Sequence, residues 1–303
     1  MQECGMKTKE QRALLKKCRH KAEIPATIVA IALTVLFVVL VIFLVDSIGK
    51  GNDQGAKAIL TERLEYEEAD IRFALKCGKY LLLAIAAFLI LKLIWELFKN
   101  AGIAMVQDIP VKEEYVPGIY KEYLECCEKL GIKKIPRVLL AVDKDNLEST
   151  GILIKSNRYL RVDQSSLDDA DTHSDNNIIR FEVIHDLAHI AYHHYSYPIL
   201  IATVVARRLP FVKNIYSRIM CYSADKLTAE LIGREECITV LLEKYMMTAY
   251  EPDERDEYVK RISDIKLNPI ERLSAALNNL TTDTPSYIYR LKAIIDDKSG
   301  KVI

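Results

Sequence analysis

Residues 178–194 read IIRFEVIHDLAHIAYHH, and at their centre His185 and His189 stand four positions apart. On a helix that spacing puts both imidazoles on one face, one turn apart. Imidazole nitrogen is a ligand for zinc, and a carboxylate between two such histidines faces the water that a metal would hold. The carboxylate here is Asp186. Phe181, Ile184, Ala188 and Tyr192 follow the same helical spacing and give the segment an apolar face to bury. Histidines at i and i+4 also occur as ordinary packing or surface residues, so the rest of the chain must decide between the two meanings.

The chain has 303 residues, and its 42 basic residues balance its 42 acidic ones. No global charge and no basic stripe with interleaved aromatics points to nucleic acid. Seven cysteines (Cys4, Cys18, Cys77, Cys126, Cys127, Cys221 and Cys237) are irregularly spaced. They form neither an even-numbered framework nor a C-x-x-C pair, which favours a reducing compartment. The apolar residues are unevenly spread. After a basic leader, residues 1–23, residues 24–45 are almost wholly apolar. As a helix they span about 33 Å, enough for a bilayer core and too long for a signal-peptide core. Residues 80–98 form a second apolar run, with Lys92 and Glu96 at i and i+4 beside Trp95, an interfacial anchor. Two spans are therefore expected, at about 24–45 and 80–98, making residues 1–100 a leader with a two-helix membrane anchor. The basic leader favours a cytoplasmic N-terminus, and two spans return the chain to the cytoplasm. A multi-pass protein of the cell's inner or plasma membrane is expected, with the bilayer as its first partner.

Residues 101–303 then form one domain. Residues 116–131 carry an apolar stripe of Ile119, Tyr123, Cys126 and Leu130, with Gly131 as a helix stop. Residues 135–142 and 151–162 are rich in β-branched and large apolar residues and predict two short strands with a turn near 143–146. The histidine helix follows. Residues 197–216 are a connection broken at Pro210, and from residue 217 to 301 the chain is helical, with stops at Gly233, Pro252, Pro269 and Pro285. The expected class is α+β, mainly helical with a small sheet.

Four segments of this domain, in order, are KEYLECCEKLGIKKIPRVLLA, EVIHDLAHIAYHH, YSRIMCYSADKLTAELIG and TPSYIYRLKAI. Over residues 110–294 the chain resembles the membrane zinc metalloproteases of the HtpX and CAAX prenyl protease type. The resemblance implies a zincin-like peptidase domain behind membrane spans, Zn2+ as cofactor, and a protein or peptide substrate that is membrane-associated or misfolded. In that family the second segment reads H-E-L-x-H. The third reads S-R-x-x-E-x-x-A-D, its Glu a zinc ligand and its Asp a support for the site. In the fourth, an Arg follows a Pro by about one turn. This chain departs at two positions. Asp186 stands where the family has its catalytic Glu, and Cys221 where it has its ligand Glu, four residues before Asp225.

Zinc accepts imidazole nitrogen, thiolate sulfur or carboxylate oxygen, so His185, His189 and Cys221 are three ligands of accepted type. A thiolate donates more charge than a carboxylate and makes the metal a weaker Lewis acid. Asp225, one helical turn from Cys221, can accept the distal N–H of a ligand histidine and fix its tautomer. Asp186 is the expected general base, shorter than Glu by about 1.5 Å of reach. Each residue also has a plainer reading. Cys221 alone would be a small buried apolar residue, and His193 and His194 would cap or flank the helix C-terminus, where cations are favoured, with one of them a substitute ligand as the lesser alternative. The expected function is a membrane-anchored zinc-dependent metalloendopeptidase. The alternative is a catalytically degenerate relative that binds or regulates a partner without hydrolysing it.

Overall fold

The structure is a computed structural model and describes residues 8–49, 117–141, 159–163, 173–246, 254–265 and 268–298. It also describes residues 109–110, 113–114 and 300 and scattered positions between 73 and 95. Among these residues the protein is mainly helical. Helix α1 (Lys9–Cys18) is opened by a capping box in which Thr8 and Gln11 exchange backbone–side-chain hydrogen bonds of 2.8 and 3.2 Å. The leader is thus more than a run of charge. Leu15 and Cys18 on its inner face join the same buried cluster as the histidine helix.

Helix α2 (Glu23–Gly49) follows. Residues 23–43 are long and apolar enough to cross a membrane, the one such helix among the described residues. Ile28, Val29, Val35, Leu36, Val39, Leu40, Ile42 and Phe43 are all exposed. A surface this apolar is unfavourable in water and favourable in lipid. The second expected span, residues 80–98, is not shown. It lies partly outside the described residues, and those of it that are described are helical, with Tyr80, Leu81, Phe88 and Trp95 exposed.

Strand β1 (Ile109–Pro110) precedes helix α3 (Pro117–Lys129). Gly131, with φ +66°, closes that helix, and a Cβ there would collide with the Gln11 side chain. Strands β2 (Arg137–Ala141) and β3 (Tyr159–Asp163) pair in parallel, with Arg137 opposite Tyr159, while β1 pairs antiparallel to β2. The expected turn near 143–146 lies outside the described residues, and the parallel pairing calls for a crossover between the two strands rather than a tight hairpin.

Helix α4 (His173–Ala191) carries the two histidines. Phe181, Ile184, Leu187, Ala188 and Ile190 on it are buried, so it is a core helix rather than a half-exposed one. Short helix α5 (Tyr197–Ala202) and a 3₁₀ turn (Ala206–Arg208) lead to α6 (Pro210–Ile232). Pro210 opens α6 instead of breaking the connection, because a proline in the first turn has no intrahelical N–H to lose. Gly233 ends α6 at φ +105°. Helices α7 (Arg234–Met246), α8 (Arg255–Asp264), α9 (Pro269–Thr281) and α10 (Tyr287–Ile295) complete the fold.

The core forms where α4 lies along α6. Helices α1, α3, α7 and α10 close around them, contributing Leu15, Tyr123, Leu130, Leu241 and Leu291. Arg180 of α4 ties α3 and α7 to it through ion pairs with Glu122 and Glu236. The Tyr192 hydroxyl just past α4 donates to the Leu15 carbonyl of α1 at 3.1 Å. These ties fix α4 against α1, α3 and α7, and the site is built where α4 packs directly on α6.

Candidate metal centre

Helix α4 brings His185 and His189 to its α6-facing side, and α6 answers with Cys221 and Asp225, again at i and i+4. The Nε2 atoms of the two histidines are 3.3 Å apart, and the Cys221 Sγ is 3.9 Å from the His185 Nε2. On its other nitrogen, Nδ1, His185 faces the Asp225 Oδ1 at 2.9 Å. His185, Cys221 and Asp225 present donor atoms within 4.8 Å of one another and form a group that can hold a metal ion. His189, Cys221 and Asp225 are buried, and His185 is nearly so. Asp186 follows His185 on α4 and is half-buried.

Asp225 is anchored from behind by Arg290 of α10, which donates from Nε to Oδ2 at 2.8 Å and from Nη2 to Oδ1 at 2.5 Å. The two-pronged contact aligns the carboxylate as a planar fork does. The Arg290 guanidinium lies over the Phe181 ring at 5.7 Å, and that ring stacks on His185, so one aromatic side chain packs both groups. Burial alone would raise the Asp225 pKa, but Arg290 and His185 outweigh it and hold the carboxyl far below the ordinary range. Burial likewise opposes charge on His185, and there the Asp225 carboxylate prevails, with Cys221 assisting, to raise the imidazole to about 9. A metal ion at Nε2 competes with that proton, so metal uptake releases it.

Both Asp225 oxygens are engaged, by Arg290 and His185, and Asp225 is also one of the three residues whose donor atoms lie together, its Oδ2 4.0 Å from the Cys221 Sγ. Of the three expected ligands, the structure groups His185 with Cys221, while His189 meets His185 and lies outside that group. Arg290 is the residue in the fourth segment that follows Pro285 by a little over one turn.

Two further residues were not among the expected site residues. His194 folds back so that its Nδ1 lies 2.8 Å from the Nδ1 of His189. Its Nε2 lies 3.3 Å from Glu23 Oε1, the carboxylate at the head of α2. Burial holds the His194 pKa below its ordinary value, against the pull of Glu23. In sequence, the available signals were an acid opening an otherwise apolar run and a second histidine pair just past the first.

Compared with protein-family models, with curated proteins and with solved structures, the chain matches none.

Proposed function

We propose that the protein is a membrane-anchored zinc-dependent metalloendopeptidase, with His185, His189 and Cys221 as zinc ligands, Asp186 as general base and Asp225 as the support of His185. One observation carries the metal part. Two buried imidazoles turn the same nitrogen, Nε2, toward each other at 3.3 Å, with a thiol sulfur 3.9 Å from one of them. Two bare lone pairs so close would repel, so a cation belongs between them: a proton on His185 Nε2, which can donate to His189, in the metal-free site, and the metal ion in the proposed one. Tetrahedral zinc with nitrogen at about 2.0–2.1 Å and sulfur at about 2.3 Å would set the donors roughly 3.4 and 3.6 Å apart. The separations of His185 from His189 and from Cys221 are close to those values, while the donors that lie within 4.8 Å of one another are His185, Cys221 and Asp225, so His189 would have to close on Cys221 to complete the proposed set. The resemblance of the four segments to the HtpX and CAAX prenyl protease type supplies the reaction class and the zincin-like assignment of the domain.

When bound, zinc supplies Lewis acidity, polarising a peptide carbonyl and making a water acidic enough to attack it. The chain's own groups do the rest. His185 and His189 hold fixed tautomers through their outer contacts. Asp186, beside His185, takes the proton from the attacking water and passes it to the departing amine. Asp225 and Arg290 keep His185 from rotating. Glu23 at the head of the apolar helix reaches this site through His194. The site therefore lies beside the start of the proposed membrane span, which suits a membrane-associated or misfolded protein substrate.

A metal-dependent protease should cleave an unfolded, membrane-extracted substrate, and a chelator should stop it. Cleavage that survives the chelator would contradict this function. The two departures from the family pattern favour one second reading, a degenerate relative that binds a partner without cutting. Restoring Asp186→Glu and Cys221→Glu together separates the two. A degenerate site gains cleavage in the double variant, whereas a site tuned around Asp and Cys loses it, because base and ligand act on one water and are not additive.

For topology, residues 80–98 are the second span, and the N-terminus and the domain share the cytoplasmic side of the inner or plasma membrane. Reporter fusions at residue 50 and at the C-terminus should report opposite sides. Fusions reporting the same side would contradict two spans.

A further inference from the structure

We propose that His194 and Glu23 are positioning residues that set the tautomer of His189, so that the first carboxylate of the apolar helix is part of the candidate metal centre. The inference rests on the metal reading above for its consequence, and for its content on one hydrogen bond, His189 to His194, and one ion-pair contact, His194 to Glu23.

Helix α4 ends in an unusual way. The N–H of His193 donates to the Ile190 carbonyl at 3.0 Å and that of His194 to the His189 carbonyl at 3.1 Å. This is the double closure in which the residue after the helix takes a left-handed conformation, normally glycine's place. Here it is His193, with φ +59°, at a steric cost of roughly 1–2 kcal/mol. The closure turns His194 back beneath His189, with ring centroids 5.0 Å apart. Arg207 fixes the turn by donating to the His194 carbonyl at 3.0 Å.

The proton positions follow from the partners. His194 and His189 meet Nδ1 to Nδ1 at 2.8 Å, so one nitrogen donates and the other accepts. His194 turns its remaining nitrogen, Nε2, toward Glu23 Oε1 at 3.3 Å. A carboxylate only accepts and favours a proton on the nitrogen that faces it, so we assign the His194 proton to Nε2, which leaves a lone pair on Nδ1. His189 must then carry its proton on Nδ1, which leaves Nε2 bare and turned toward His185. Glu23 is itself held, by Arg19 Nε at 3.0 Å and by the Ser223 hydroxyl of α6. Both Glu23 and His194 are more than nine-tenths buried.

The two metal-facing histidines are thereby oriented in the same sense by different means. His185 meets Asp225 directly. His189 meets Glu23 through one intervening imidazole. Each ends on a carboxylate, and each presents Nε2. Outer partners of this kind fix ligand orientation and typically alter metal affinity 10–100-fold when removed.

The test uses the full chain in detergent, wild type beside His194→Leu and His194→Asn. Leucine removes the acceptor, whereas asparagine keeps an oxygen where Nδ1 stood. Zinc affinity by chelator competition should fall 10–100-fold in His194→Leu and stay within about threefold in His194→Asn. A merely structural role predicts equal losses in both variants, and that result would overturn the proposal, as would an unchanged His194→Leu. A second measurement is independent of zinc. Nitrogen-15 NMR of the chelator-treated protein reads each imidazole tautomer, and six histidines can be assigned by single substitutions. His189 should carry its proton on Nδ1 in the wild type and lose that preference in His194→Leu. A proton on Nε2 in the wild type would refute the proposal. Failure of the wild type to take up zinc would instead refute the metal reading and leave the tautomer result to judge this one.

Discussion

Asp186→Asn should leave the fold and one bound zinc intact and reduce cleavage about 10²–10⁴-fold. The amide is nearly isosteric with the carboxylate but cannot take a proton from the attacking water. Asp186 sits one position after His185 on a helix anchored through Arg180 and, just past its end, Tyr192, and asparagine keeps its size. The measurement is the turnover of an unfolded membrane-extracted substrate beside the zinc content of the same sample. Loss of cleavage with zinc retained assigns the effect to proton transfer. Unchanged cleavage would remove Asp186 from the mechanism. In the proposed mechanism the shorter reach relative to Glu would lower the absolute rate, and the ratio between wild type and variant would still read the base.

Arg290→Met should destabilise the folded chain by about 3–5 kcal/mol, because it leaves the buried Asp225 charge without its main partner. The methionine fills most of the apolar volume and retains contact with Phe181, so the loss is chiefly electrostatic. The sign of the pH dependence follows from the depressed Asp225 pKa. Its contribution to stability is fully present above the unfolded value, about 3.9, and is lost as the pH falls through the folded value. Without Arg290 the folded value moves up, and the variant should lose stability at a higher pH than the wild type. Denaturant unfolding at several pH values measures both effects. A loss below about 1 kcal/mol would show that the pair lies in a wetter, better screened place than its burial implies.

The parts of the site that could be read in advance are those encoded by local spacing. His185 and His189 share a face because they are four apart within an apolar pattern, and Cys221 and Asp225 repeat that spacing on α6. Helix ends at Gly131 and Gly233 were legible for the same reason, since both require a left-handed or extended glycine conformation. Contacts between distant segments left no such signal. Leu15 and Cys18 are two apolar positions among many charges, too few to announce that α1 docks on the core. The parallel pairing of β2 with β3 depends on the long segment between them, and local alternation is the same for either direction. Pro210 reads as a stop and serves as a start. His194 looks like a helix-flanking cation, and only the reversal at His193 turns it toward His189. Glu23 looks like the last charge before a membrane span and lies against the site.

X-ray absorption at the zinc edge, on full-length protein loaded with zinc and washed free of excess, tests the central claim most directly. Two nitrogen neighbours at about 2.0–2.1 Å and one sulfur at about 2.3 Å are predicted, with one zinc per chain, and the sulfur shell should vanish in Cys221→Ser. A shell of nitrogen and oxygen alone would exclude Cys221 as a ligand, and a washed protein without zinc would contradict the metal centre itself.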